Sequence, residues 1–544
     1  MRILIKKYLI LFALIVAAAL RFWRLGEVPI SPDWDEVALG YNAYSVLHTG
    51  KDEYGTFLPR VLRSFDDYKP PLYMYLSIPS IALFGLNVWA VRLPSAIMGT
   101  FAVLGTYLLV KELSSRSGRK LSEGQTLGDC TALLLAVSPW HIQFSRIAFE
   151  ANSGITLTIW AMYWFLRGFR SSKWFTMSAL SFSIALYAYH SQRAFVPLMV
   201  LALGIVFFQE LKNNWRRLIV PVIVGLLVVL PLVPVLTDKT SWTRLQGTSS
   251  FSDQTALLSR TVTKLAYDES RRDIVGKILD NRRIVYFQKL ADGYFSHFSI
   301  KWLFLTGDND RHHAPDMGLL YLWEFPFLLY GMFMVASRGG KFAQVAFVWF
   351  FIAPIAAAPT SGLPHAIRTL VFLPTFQIFT ATGLISFMDR IRNRTANFRI
   401  ISISMCALVI ACSLIFYLHM YFFHLNYEYS QFWQYGYKEA VEYVKAHGDA
   451  YETIVVSTKL EQPHMFFLFY LAYDPVSYLA EGGTASGGFA EHRNRFDKFL
   501  FRPLAVHEIH DGKTLYIGTP REIGENTLAR IYYLNGEEAM RISN

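Results

Sequence analysis

Runs of about 20 apolar residues recur along this chain, separated by short connections rich in Lys and Arg. A run of that length crosses the hydrocarbon core of a bilayer as a helix, the conformation that satisfies every backbone polar group within its own segment. Eleven such segments are predicted, over approximately residues 4–21, 90–110, 125–141, 151–168, 173–190, 194–209, 217–236, 319–337, 341–358, 369–388 and 399–418. Composition agrees with this class: 53% of residues are hydrophobic, 17% are charged and the mean hydropathy is +0.28, whereas soluble domains carry about 25% charged residues. Cys130, Cys406 and Cys412 lie in or beside apolar segments without ligand spacing, which argues against a disulfide framework or a zinc ribbon.

The net charge of +11 resides mostly between the apolar runs, as in a membrane protein, and no nucleic-acid module is present in the pattern. The first run follows Arg2, Lys6 and Lys7, and no small-residue cleavage site follows it, so it reads as a retained helix starting in the cytoplasm. Alternation then makes KELSSRSGRK, RGFRSSK, QELKNNWRR, RGGK and DRIRNRTANFR cytoplasmic, as the positive-inside rule requires. PPLYMYLSIPSIALFG (70–85) is shorter and carries Pro70, Pro71 and Pro79; counting it as a span would invert every later loop, so it is expected as an interfacial helix on the outer face.

The outside then holds residues 22–89, 237–318 and 419–544. The last of these changes character: QFWQYGYKEAVEYVKAHG reads as an amphipathic helix, ETIVVST and TLYIGT as strands, and IYYLNGEEAMRI as a hairpin closed by Asn535-Gly536. The expected organisation is a polytopic helical module over 1–420 and a small extracytoplasmic α/β domain over 421–544.

Unusual polar residues share one predicted face. Asp33, Asp35 and Glu36, then Asp66, Asp67 and Lys69, then Arg92, His141, Arg146, Glu150, His190, Arg193, His365 and Arg368 all fall at the outer ends of spans. A charge at mid-span costs about 2.5–3.5 kcal/mol, and transporters place ionisable groups there regardless. Span-end placement instead suits a pocket opening at the outer interface. A transporter or flippase, or a polymerase or ligase of lipid-linked sugars, is the alternative.

Singly, these residues have plainer readings. Asp35 and Glu36 can cap the helix begun by VALGYNAYSVL; Glu150 can pair with Arg146; Arg92, Arg193 and Arg368 can reach the interface as isolated cations. Together, three arginines near a lysine held by Pro70 and Pro71 make an anion site, because guanidinium groups bind phosphate oxygens in pairs. His312 and His313 could bind a divalent ion with Asp308 or Asp310, although a solvated loop is the expected reading. EGGTASGG (481–488) has the glycine content but not the spacing of a phosphate loop, and is expected to be a mobile loop.

DWDEVALGYNAY, YKPPLY, LFGLNVWAVRLPSAIMG, SRIAFEAN and PHAIR, in that order, resemble the polyprenyl-phosphate-sugar-dependent glycosyltransferases of the GT-C superfamily. The likeness is greatest to bacterial family 39 proteins, relatives of protein O-mannosyltransferases and lipid A aminoarabinose transferases. It covers residues 1–420 fairly continuously and the remainder weakly. The resemblance implies an inverting hexosyl or pentosyl transferase moving a sugar from a polyprenyl-phosphate donor to a lipid, glycan or protein hydroxyl outside the plasma membrane. It implies catalytic roles for Asp35, Glu36 and Glu150, and donor-phosphate binding by Lys69, Arg92 and Arg368. Asp67, His190, Arg193 and His365 are the further substrate-binding candidates. A divalent cation could assist, with His312 and His313 as weak ligand candidates.

Overall fold

The computed structural model describes all residues except 1, 66, 119, 238–246, 248, 489–490 and 506–511, so Asp66 and part of the 237–318 loop lie outside the described residues. Each of the eleven apolar segments is largely helical. Among the described residues, four helices are long and apolar enough to cross a membrane: Val88–Arg116, Trp215–Thr237, Leu370–Arg392 and Ala396–Tyr429. Shorter apolar helices include Tyr8–Phe22, Leu72–Phe84, Gln192–Val206 and Gly340–Ile352.

Local chemistry explains one shortening. The segment predicted over 125–141 ends its helix at Val137, because Pro139 disfavours helical geometry in the residue before it and Ser138 turns extended (φ −64°, ψ 121°). A new helix then runs from Pro139 to Arg146.

The chain forms two compact units. The first comprises Met1–Leu104, His141–Thr156 and Ala407–Asn544. Its elements begin with α1 (Arg2–Phe22), α2 (Trp34–Thr49), the hairpin β1 (Leu62–Ser64) and β2 (Asp67–Lys69), and α3 (Leu72–Phe84). The N-terminal part of α4 (Val88–Arg116) follows. The C-terminal region adds a six-stranded sheet, ordered β4-β5-β3-β6-β8-β7, from Arg495–Phe496, Phe499–Phe501, Thr453–Val456, Thr514–Gly518, Glu538–Ser543 and Ala529–Tyr532. The two strands and the hairpin expected from sequence are β3, β6 and β7–β8. β5, β3 and β6 are parallel, and the outer pairings are antiparallel.

One hydrophobic core joins this sheet to the first loop. Ile454, Val456, Leu515 and Ile517 share a cluster with Val37, Ala38, Leu39 and Tyr41 of α2 and with the helix Pro463–Leu471. Gly40 permits the approach: a Cβ there would stand 2.7 Å from Val91 and 2.8 Å from the Phe469 ring. The helix Tyr437–His447 packs into the same cluster, with Tyr437 stacked on Phe466 at 4.0 Å between ring centres.

The second unit, Gly105–Trp140 and Leu157–Cys406, is mainly helical among its described residues, with turn and loop segments over 307–323 and 353–369. Its helices Glu324–Arg338 and Thr375–Arg392 meet through Gly331 and Gly383, where an added Cβ would fall 1.8 Å and 2.0 Å from backbone oxygens of the opposite helix. Small residues are the means by which apolar helices bring their backbones together.

Candidate active site

In the first unit the acidic start of α2 resolves into three different carboxylates. Asp33 is the N-cap, and its side chain accepts the Glu36 backbone N–H at 3.0 Å. Glu36 returns the bond from Asp33 N–H at 3.3 Å, completing a capping box. Capping, expected of Asp35 and Glu36, thus belongs to Asp33 and Glu36. Asp35 lies about 100° around the helix from Glu36 and forms an ion pair with Lys69.

Glu36 is fully enclosed, and Arg92 is its main partner. Arg92 donates through Nε to Oε1 at 2.9 Å and through Nη2 to Oε2 at 2.8 Å. Its remaining N–H groups reach the carbonyls of Leu25 and Pro29 through Nη1 and of Ser31 through Nη2. All five donors are therefore committed to protein acceptors, and the side chain is buried. This corrects the expectation of Arg92 at the donor phosphate: it holds the carboxylate beside the site. Glu36 is likewise a positioning group, since it also accepts Ala148 N–H at 2.7 Å.

Lys69 ends β2, where Leu62 pairs with it across the hairpin, and Pro70 and Pro71 fix the chain beyond. Its side chain is 7% exposed and that of Asp35 is 31%. Burial depresses the Lys69 ammonium, but the carboxylates of Asp35, Glu150 and Asp67 outweigh it and hold the pKa above the ordinary lysine value. Three carboxylates, Asp35, Asp67 and Glu150, thus act on one cation, Lys69. Asp35 is the more exposed member of the Asp35–Lys69 pair, whereas Glu150 is buried at the entry to the helix Ala151–Gly168.

Arg146, considered as a partner for Glu150, donates to the carbonyls of Leu20, Arg21, Arg24 and Val28. His141 is buried with Nδ1 2.6 Å from Arg21. Both stitch the end of α1 into the unit.

The sequence reading missed a second acidic centre on the same loop. Glu53 is buried; Asn42 donates to its Oε1 at 2.9 Å and Thr484 to its Oε2 at 2.6 Å. Thr484 N–H also donates to the Glu53 carbonyl at 3.0 Å. Burial is the largest influence and raises the carboxyl to about 7, against these hydrogen bonds. EGGTASGG, expected as a mobile loop, is therefore fastened here, and Gly483 is required because a Cβ would stand 2.6 Å from the Glu53 carbonyl. The Asn42–Glu53 spacing carried no recognisable motif.

In the second unit, His190 Nδ1 lies 3.4 Å from Arg193, and Arg193 also reaches the Leu186 carbonyl. Arg368 donates to Thr360 Oγ1 and to the Ser361 carbonyl, each at 2.6 Å. His312 and His313, expected in a solvated loop, are 5% and 7% exposed, because the loop folds back against the GLPHAIR segment. His313 Nδ1 is 2.7 Å from the Ala314 carbonyl, whereas His312 Nδ1 is 3.2 Å from Asp308. His365 is thereby placed beside His312 and Asp308. Its imidazole is held well below the ordinary value by burial first, then by His312 and Arg368.

Residues 68–237 match the family model described as dolichyl-phosphate-mannose-protein mannosyltransferase. The match includes Lys69, Arg92 and Glu150 and begins beyond Asp35. No curated protein matches the sequence. Among solved structures, ArnT from Cupriavidus metallidurans in the apo state is 13% identical with a TM-score of 0.53, over 98% of this chain and 96% of that one. The same protein bound to undecaprenyl phosphate gives 13% and 0.51, over 98% and 97%. The archaeal oligosaccharyltransferase AglB from Archaeoglobus fulgidus, in complex with an inhibitory peptide and a dolichol-phosphate, gives 12% and 0.51, over 94% of this chain and 69% of that one. The family model and these neighbours belong to the GT-C superfamily of polyprenyl-phosphate-dependent glycosyltransferases, as the motif resemblance implied. At these identities the structural likeness is one of fold.

Proposed function

From the premise that the chain has the fold of the GT-C glycosyltransferases, we propose that it transfers a sugar from a polyprenyl-phosphate donor to an acceptor hydroxyl, with inversion. The observation that carries this reading is the Asp35–Lys69 pair on the first outside loop, with Glu150 and Asp67 in the field of the same ammonium. Asp35 takes the proton as the acceptor oxygen attacks the anomeric carbon. The new C–O bond forms as the bond from that carbon to the phosphate oxygen breaks, and the electron pair leaves with the polyprenyl phosphate. A carboxylate so placed contributes about 10² to 10⁴ in rate. Lys69 supplies preorganised positive charge for the departing phosphate.

Glu150 is the second acidic residue and, with Asp67, tunes Lys69. Glu36 and Arg92 act through position alone. His190, Arg193 and Arg368 are held in the second unit by hydrogen bonds of their own, and the proposal rests on none of them. The eleven-span topology, with the N-terminus cytoplasmic and the C-terminal domain outside the plasma membrane, belongs to the same proposal. So does the division into a membrane module (1–420) and an extracytoplasmic domain (421–544). The acceptor is a hydroxyl of a lipid, a glycan or a protein.

The test is sugar release from a panel of polyprenyl-phosphate monosaccharides by the wild-type chain and Asp35→Asn in nanodiscs, with membrane extract as acceptor source. Transfer by the wild type that collapses in a folded variant supports the reading and identifies the donor. Equal rates remove Asp35 from catalysis. Movement of labelled lipid between leaflets without transfer favours a flippase.

A further inference from the structure

We infer that Asp308, His312 and His365 form a binding site for one zinc-like divalent transition-metal ion. The inference is independent of the proposed transferase activity and concerns the second unit alone. The three residues come from two segments, the loop after Trp302–Thr306 and GLPHAIR, yet each offers a ligand atom within 4.8 Å of the other two.

An Asp308–His312 ion pair alone is the simpler reading, since His312 Nδ1 and Asp308 Oδ1 are 3.2 Å apart, four residues along the chain. That pair does not account for His365. The His365 and His312 rings stand 5.1 Å apart between centres, and His365 Nδ1 is buried without a hydrogen-bond partner among the described residues. A buried polar nitrogen left bare is destabilising by about 1–3 kcal/mol, and a ligand that accepts its lone pair removes that cost.

The surroundings fix the Asp308 carboxylate and the backbone that carries His365. Asp308 Oδ2 accepts Ala366 N–H at 2.6 Å, which fixes the carboxylate against the neighbour of His365 and leaves Oδ1 toward His312. His365 N–H donates to His297 Nε2 at 3.2 Å, and His297 Nδ1 donates to the Gly293 carbonyl at 2.8 Å. His297 therefore holds the backbone from which His365 projects. Such outer contacts fix ligand orientation in metal sites generally.

Two imidazoles and one carboxylate suit Zn²⁺ over Mg²⁺ or Ca²⁺, which prefer oxygen shells. At metal–ligand distances of about 2.0–2.2 Å, tetrahedral ligands stand about 3.4 Å apart, so Asp308 and His312, at 3.2 Å, are already at that spacing and His365 has to move in toward them on binding. The fourth position is left to water or substrate. Bound metal would staple the loop carrying Asp308 to the segment carrying Arg368.

The test uses the full-length chain, purified through a tag free of histidine, stripped with chelator and titrated with Zn²⁺, with metal content read by elemental mass spectrometry. About one equivalent is expected. His312→Gln and His365→Gln should each weaken binding by about 100-fold or more, the upper end of what even outer contacts contribute. His313→Gln, whose ring is turned to a backbone carbonyl, should retain the wild-type affinity. Less than a tenth of an equivalent in the wild type, or unchanged affinity in His365→Gln, overturns the site. If the variants do not fold, the wild type decides alone: Co²⁺ should give the visible bands of a low-coordinate nitrogen and oxygen site, and a purely octahedral spectrum overturns the proposal.

Discussion

Arg92 and Glu36 meet as a two-point ion pair at 2.9 and 2.8 Å with neither side chain reaching solvent. Because Glu36 also accepts N–H groups from Asp33 and Ala148, one carboxylate ties the start of α2 to α4 and to the turn that leads to Glu150. The orientation of Asp35 depends on this knot, one residue away.

Glu36→Ala is expected to lower stability by about 3–5 kcal/mol, since it leaves a guanidinium buried without its counter-charge. Adding Arg92→Met removes the stranded charge and should recover part of the loss. Thermal unfolding of both variants in detergent checks this; a double variant less stable than Glu36→Ala would show that the backbone carbonyl contacts of Arg92, and not the pair, dominate.

Asp35→Asn should behave differently, because Asp35 is 31% exposed and its ion pair with Lys69 is not sealed from solvent. Transfer should fall about 10² to 10⁴-fold with the unfolding temperature little changed. Lys69→Met should be comparably inactive across pH 6–9. Its raised pKa means that the stabilisation from its ion pair is fully present below about 10.5 and is lost only as pH climbs through the higher folded value. A pH-dependent recovery of Lys69→Met within that range would contradict a fixed cationic role.

The segments that read most clearly from sequence were those whose signal is local. Helices over 151–168 and 399–418 follow from apolar length, β3 and β6 from β-branched and aromatic runs, and the last hairpin from Asn535-Gly536. Asp35 and Lys69 were singled out together because the expected topology puts both on one face. Arg92 was misread because a lone arginine at a span end looks identical whether its partner is a phosphate or the carbonyls of Leu25, Pro29 and Ser31. Glu53–Thr484 and Asp308–His365 were illegible for the same physical reason: each joins segments distant in sequence through turns with no periodicity.

Gly331→Ala tests the helix contact of the second unit. Alanine normally favours a helix over glycine by about 1 kcal/mol, but here its Cβ would lie 1.8 Å from the Phe379 carbonyl oxygen, which is backbone and cannot swing aside. The two helices must separate, and a loss at or beyond the upper end of about 1–3 kcal/mol is expected. A rise in the unfolding temperature would mean that propensity outweighs the contact.

Glu53 makes the stability of the first unit depend on pH. Its carboxyl is raised from 4.5 to about 7, so between those values the folded state holds a proton that the unfolded chain has released. Stability therefore falls as pH rises from about 4.5 to 7, by up to about 3 kcal/mol for this group. Glu53→Gln stays neutral throughout. Its carbonyl can accept from Asn42, and its amide can donate to Thr484, whose hydroxyl is then free to donate to Tyr478 at 2.8 Å. The variant should match the wild type near pH 5 and exceed it at pH 8, so that the wild-type minus variant difference isolates Glu53 from Asp52, which burial also raises. Melting curves at pH 5 and pH 8 decide it, and parallel profiles for the two proteins would mean that Glu53 is already ionised in its pocket at pH 5.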